Sequence, residues 1–121
     1  RVFETVCRDF MLRENAAGRL PFLFTDIGRW WGTDPRTRKQ AEIDLVASDG
    51  KDYIFCECKW RNEKLDLGVL QNLKDKAALF GERSENARCA LFSKSGFTNA
   101  VKEAARADER LTLFSMDDLM K

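Results

Sequence analysis

A chain of 121 residues is long enough to bury a single core, and 44% hydrophobic with 34% charged residues describes a folded domain rather than a disordered segment. A formal net charge of +1 supplies no bulk attraction to nucleic acid, and the absence of histidine excludes histidine-dependent triads and most zinc sites. No apolar run approaches membrane-span length and no signal-peptide pattern is visible, so no membrane partner and a cytoplasmic location are expected.

Phe3, Val6, Cys7, Phe10 and Met11 recur at helical spacing, which predicts an amphipathic helix from residue 2 to about 16, ending before Gly18. Arg1 already stands at the edge of that helix, which points to a C-terminal piece of a longer protein. Phe22 to Trp31 reads as a strand, and the polar stretch Gly32–Arg38 as a turn. Residues 40–47 alternate polar and apolar, Asp49-Gly50 is a hairpin-turn signal, and Asp52 to Trp60 returns as a second strand.

A helix is expected from about Leu67 to Phe80, with Leu70, Leu73, Ala77 and Phe80 on one face and Gly81 closing it. Ala87 to Ser93 follows as a short strand. Thr98 is suited to cap a helix running to about Ala107, Leu111 to Phe114 forms a last strand, and Ser115 opens a short terminal helix. The order α-β-β-β-α-β-α-β-α predicts an α/β domain, a mixed sheet flanked by helices.

Strict alternation places Tyr53, Phe55, Glu57 and Lys59 on one face of their strand, with Ile54, Cys56, Cys58 and Trp60 on the other. On the preceding strand it pairs Glu42 with Asp44 and sets Ile43 and Leu45 opposite. With the hairpin in register, Asp44 and Glu57 converge. Two such carboxylates suit a hard cation such as Mg²⁺ or Mn²⁺, and Lys59 could orient a water or stabilise developing negative charge. The alternative is an exposed cross-strand ion pair among the same three residues, worth roughly 0–1 kcal/mol.

Arg29, Arg36, Arg38, Lys39, Lys59, Arg61 and Lys64 crowd the first half of the chain and either contact phosphates or form an ordinary solvated surface. Cys7, Cys56, Cys58 and Cys89 contain no CxxC pair, so buried free thiols are expected ahead of a redox or metal site.

The segments Glu42-Ile43-Asp44-Leu45-Val46 and Glu57-Cys58-Lys59-Trp60 resemble the signature of the PD-(D/E)xK nuclease superfamily. Ser93 to Ala100 resembles the strand-to-helix joint of restriction-endonuclease-like domains, whose core order is also α-β-β-β-α-β. Phe3 to Arg8, Ile27 to Gly32 and Glu57 to Trp60 are most similar to one group, the C-terminal domain of unknown function of archaeal-type ATPases. The resemblance implies a restriction-endonuclease-like core with an added helix, strand and short C-terminal helix. It also implies one domain over residues 1–121, preceded in the parent chain by an ATPase module. No GxxxxGK[ST] loop occurs in this stretch itself.

Carried over by position, the resemblance makes Asp44 and Glu57 metal ligands, Lys59 the catalytic lysine, and Glu4 a further ligand. Glu4 reads equally as an i,i+4 partner of Arg8. Gln71 stands where relatives carry a helix glutamine near the site, with Asp75 in place of the tyrosine that often follows it. Ile43 replaces the motif's proline, and Glu42 is a supporting acid. The expected activity is Mg²⁺- or Mn²⁺-dependent hydrolysis of nucleic acid, DNA foremost, with Arg29, Arg36, Arg38, Arg61 and Lys64 on the backbone. The alternative is a silent nuclease-like fold that binds nucleic acid or protein, and an exposed sheet edge would also permit a homodimer.

Overall fold

In a computed structural model describing residues 1–121, the helical spacing of Phe3, Cys7, Phe10 and Met11 gives the first helix, α1 (Val2–Ala16), and buries all four side chains. The helix stops where Gly18 adopts a positive φ of 69°, a backbone state open to glycine at little cost. The following strand begins later than the expected Phe22: β1 spans Asp26–Thr33. Asn15 is the cause. Its amide donates to the Phe24 carbonyl (3.1 Å) and accepts from the Phe24 N–H (3.0 Å), so both backbone groups that a sheet ladder would use are engaged by a helix side chain. Phe24 is thereby pinned into the core under α1.

The next strands, β2 (Gln40–Ser48) and β3 (Tyr53–Lys59), form the expected antiparallel hairpin. Asp49 shapes its turn by accepting from the N–H groups of Lys51 and Asp52, at 2.9 and 2.7 Å. Helix α2 (Leu67–Ala77) starts at Asp66, whose side chain accepts from the Val69 N–H. It ends three residues short of Phe80, where the chain tightens into a 3₁₀ segment (Ala78–Ser84) broken at Gly81. Phe80 still reaches the core and packs on Trp30, Tyr53 and Phe55 with centroid distances of 4.9–5.5 Å.

Strand β4 (Arg88–Ser93) leads to α3 (Asn99–Ala107), capped by Thr98 as expected. Strand β5 (Leu111–Ser115) precedes α4 (Met116–Leu119), where Ser115 and Asp118 form a capping box.

The result is a five-stranded mixed sheet in the order β1-β2-β3-β4-β5, antiparallel through β3 and parallel from β3 to β5. Helices α1 and α4 cover one face through Phe10, Met11 and Leu119, packed on Cys56, Ala90 and Phe92. Helices α2 and α3 cover the other through Leu70, Leu73, Ala77 and Val101, packed on Phe55 and Leu91. With both faces covered, β3 carries six buried residues in a row and shows no amphipathic alternation.

One local departure from ideal pairing shapes everything at the upper end of the sheet. Gly28 pairs with Val46 but Trp30 pairs with Ile43, so Arg29 alone stands opposite both Asp44 and Leu45. This β-bulge turns successive side chains out of strict alternation. Ile43 and Leu45, expected on one face, lie on opposite faces, Ile43 toward α2 and Leu45 toward α1.

Asn15→Ala should leave both polar groups of Phe24 without a partner and cost about 1–3 kcal/mol. Urea unfolding of the variant against the parent chain measures this directly.

Candidate functional site

The bulge separates β2 from β3 just beyond the Leu45–Cys56 pair, the last pairing of the hairpin at this end. The Cys58 N–H therefore loses its ladder acceptor. Asp44 Oδ2 takes that role at 2.8 Å, placing a carboxylate in the gap between the strands. Next to it on β3, Glu57 is only 3% exposed, which rules out a solvent-washed cross-strand ion pair. Burial, then the nearness and negative charge of Asp44, push the Glu57 carboxyl up to about 7.

The cation nearest Glu57 was not foreseen from sequence. Lys76 on α2 brings Nζ to 3.4 Å from Glu57 Oε2. Its helical position carried the signal, since Lys76 lies three residues after the buried Leu73 on the core-facing side. Only the packing of α2 against β3 directs it to Glu57. Lys59 acts on Glu57 through its charge, after Lys76, and lines a cleft of about 380 Å³ with Arg61, Glu63, Lys64 and Asp66. The structure thus brings Lys59, Arg61 and Lys64 together in one cleft, and of these Lys59 is the one whose charge reaches Glu57.

Glu4 extends from α1 to the same end of the sheet but is held by Arg29 rather than by Arg8. Arg29 also pairs with Glu42 at 3.1 Å and lies over the Trp31 ring. Burial first, and then the charge of Asp44, raise the Glu4 carboxyl above its ordinary range. Arg29 therefore neutralises two acids at the rim. Glu4, Arg8, Arg29 and Asp44 line a second cleft of about 290 Å³ between α1 and the bulge.

Three expected site residues stand apart. Arg36 and Arg38 occupy the exposed β1–β2 turn, with Arg36 3.8 Å from Asp34, and Arg36 faces the 3₁₀ segment near Ala78 and Gly81. Gln71 donates to Asp75 at 2.9 Å on the exposed side of α2.

No three acidic or thiol side chains converge as a ready metal cluster. Asp44 and Glu57 nonetheless fit a Mg²⁺ ion bound by two carboxylates and otherwise by water, the arrangement this cation favours. Their crowding is a charge conflict that a cation relieves. The thiols offer no rival centre. Cys56 and Cys58 lie buried on the α1 face, and burial of Cys56 and the contact of Cys58 with Cys7 raise both well above the ordinary thiol range.

The DUF234 family, described as archaeal and bacterial proteins of unknown function, matches residues 1–78. The chain belongs to this family. The matched stretch runs from α1 through α2 and includes Glu4, Asp44, Glu57, Lys59 and Lys76. An uncharacterized protein of Methanocaldococcus jannaschii is 33% identical, over 80% of this chain and 25% of its own length. The DUF234 chain thus spans a quarter of that relative. The crystal structure of AF1548, a protein of unknown function, is similar with a TM-score of 0.57 at 16% identity, covering 97% of this chain and 59% of AF1548. That likeness is one of fold.

The raised Glu57 carboxyl makes the folded state's stability depend on pH. Its folded pKa of about 7 exceeds the ordinary 4.5, so between these values the native DUF234 chain holds a proton that the unfolded chain releases. The contribution is complete below pH 4.5 and is lost as pH rises through 7. Asp44→Asn removes the neighbouring charge. The fall in unfolding free energy between pH 5 and pH 8 should shrink by roughly 1 kcal/mol or more in that variant, as read by urea titration at the two pH values. Thiol reagents should label the native protein slowly at Cys7, Cys56 and Cys58, all buried, and rapidly after unfolding.

Proposed function

We propose that this DUF234 chain is a PD-(D/E)xK-type phosphodiesterase acting on nucleic acid, DNA foremost. The observation that carries the reading is the pair Asp44–Glu57 in the gap between two parted strands, with Lys59 one strand period beyond. A buried Glu57 beside a second carboxylate, at such cost to the apo protein, is hard to account for as packing. A sheet end of the same shape is obtained more stably with apolar side chains.

Asp44 and Glu57 would hold Mg²⁺ or Mn²⁺, which when bound supplies positive charge to a phosphate oxygen and to an attacking water. Lys59 orients that water or meets the charge developing on the phosphorane. Lys76 partly balances the Glu57 charge when no cation is present. Arg61 and Lys64, in the cleft shared with Lys59, contact the backbone without reading bases. Arg29, in this reading, sets the position of Glu4 rather than meeting phosphate directly. The similarity of Phe3–Arg8 and Ile27–Gly32 to C-terminal domains of archaeal-type ATPases supports a further element of the proposal, coupling to an N-terminal ATPase in the parent chain.

A second reading has its own support. Glu4 is occupied by Arg29 and Glu57 by Lys76, the arrangement of a quiet site that binds nucleic acid or protein without turnover.

Supercoiled and branched DNA with Mg²⁺ or Mn²⁺ separates the two. Nicking should be lost in Asp44→Asn and reduced about 100-fold or more in Lys59→Ala. Mg²⁺ at pH 8 should raise the melting temperature of the parent chain but not of Asp44→Asn. Salt-sensitive DNA binding with no cleavage and no thermal effect of the metal favours the quiet module.

A further inference from the structure

Past Lys59 the chain leaves the sheet, and the parallel pairing of Lys59 with Ser93 carries Trp60 and Lys94 out side by side. Trp60 is 56% exposed, as is Trp31, but Trp31 is covered by Arg29, which is itself paired with Glu4 and Glu42, whereas the cation beside Trp60 has no acid partner. Phe3 supports the ring at a centroid distance of 5.2 Å, so Trp60 is anchored although it faces solvent. Lys94 Nζ lies 4.8 Å from the ring centroid, and its hydrogen-bond partner is the neutral Asn62 Oδ1 at 3.0 Å. No carboxylate pairs with this ammonium.

The two segments are fastened together. The Lys94 N–H donates to the Lys59 carbonyl at 3.0 Å, Ser95 Oγ donates to the Arg61 carbonyl, and the Leu65 N–H donates to the Gly96 carbonyl at 2.9 Å. Gly96 holds a positive φ of 89° at this crossing. An exposed flat ring topped by an unneutralised cation, on a rigid base, fits a ligand with a flat face and an adjoining negative charge. A nucleotide has both.

We propose that Trp60 and Lys94 form a platform for one unpaired nucleotide. The base stacks on the indole in place of the ammonium, and the ammonium moves to that nucleotide's phosphate. The inference rests on the nucleic-acid reading of the neighbouring site and narrows its substrate class to strands with a single-stranded or frayed segment beside the bond addressed by Lys59. Arg61 and Lys64, in the Lys59 cleft, then track the same backbone. A paired base inside a duplex cannot present its face to the ring, so the platform discriminates by strand state and tolerates any base.

The test is fluorescence anisotropy in EDTA with two labelled DNAs of equal length, one blunt and one with a single-stranded overhang. The parent chain should bind the overhang DNA about tenfold or more tightly, as expected for one stacked base. Trp60→Leu keeps an apolar contact for Phe3 and should abolish the preference while leaving blunt-duplex affinity unchanged. Trp60→Phe should retain most of it. Lys94→Gln keeps the ring, and should weaken overhang binding and lower its salt dependence by about one charge. Equal affinity of the parent chain for the two DNAs, or an undiminished preference in folded Trp60→Leu, overturns the platform. Because no metal is present, this readout is separate from cleavage. Overhang preference without Mg²⁺-dependent nicking retains the platform and removes the nuclease. Nicking without the preference does the reverse.

Discussion

One hydrogen bond organises the candidate-site end of this molecule: Asp44 Oδ2 accepting from the Cys58 N–H across a gap in the sheet. At the bulge β2 bends away from β3, and a central strand would be left with an unpaired, buried N–H, a loss of about 1–3 kcal/mol. The carboxylate restores that bond from a side chain. The substitution of side chain for backbone has two effects at once. It allows the strands to part, and it fixes an acid in the space between them.

Charge is then balanced in two separate units. Arg29 on β1 neutralises Glu4 from α1 and Glu42 from β2, at the solvent-facing rim. Lys76 from α2 faces Glu57 from the opposite side of the sheet, where exposure is lowest. Asp44 lies between these units, tied to the backbone and near Glu57 rather than a lysine or arginine. Burial first, and then the nearness of Asp44, raise the Glu57 carboxyl. In the proposed reading, a divalent cation between the two acids would relieve their mutual repulsion. Lys59, Arg61 and Lys64 gather positive charge in one cleft, which a net charge of +1 does not advertise.

The elements themselves were legible because their signals are local. The apolar repeat of α1, the Asp49-Gly50 turn and the Thr98 cap each act over a few residues, and each appears where the pattern puts it. The misses are equally physical. Phe22 to Thr25 has strand composition, yet Asn15, far enough along the helix to reach over, captures the backbone of Phe24. The helix expected to run through Phe80 tightens after Ala77 because Gly81 breaks it at positive φ, although Phe80 still fills its place in the core. Asp44, Glu57 and Lys59 stood out as charges in apolar strands. Lys76 did not, because a lysine on a helix is ordinary until its neighbour across the core is known.

The sequence alone determined the order of strands and helices, the position of the hairpin, and the presence of a carboxylate pair with a lysine on neighbouring strands. These follow from period, turn chemistry and spacing within short windows. Only the tertiary structure decided that β2 bulges opposite Arg29, that Asp44 replaces a ladder acceptor, and that Lys76 and Arg29 divide the acids between them. A bulge depends on how three strands pair together, and an ion pair across a core depends on two elements meeting. Neither is written in the spacing of any one segment.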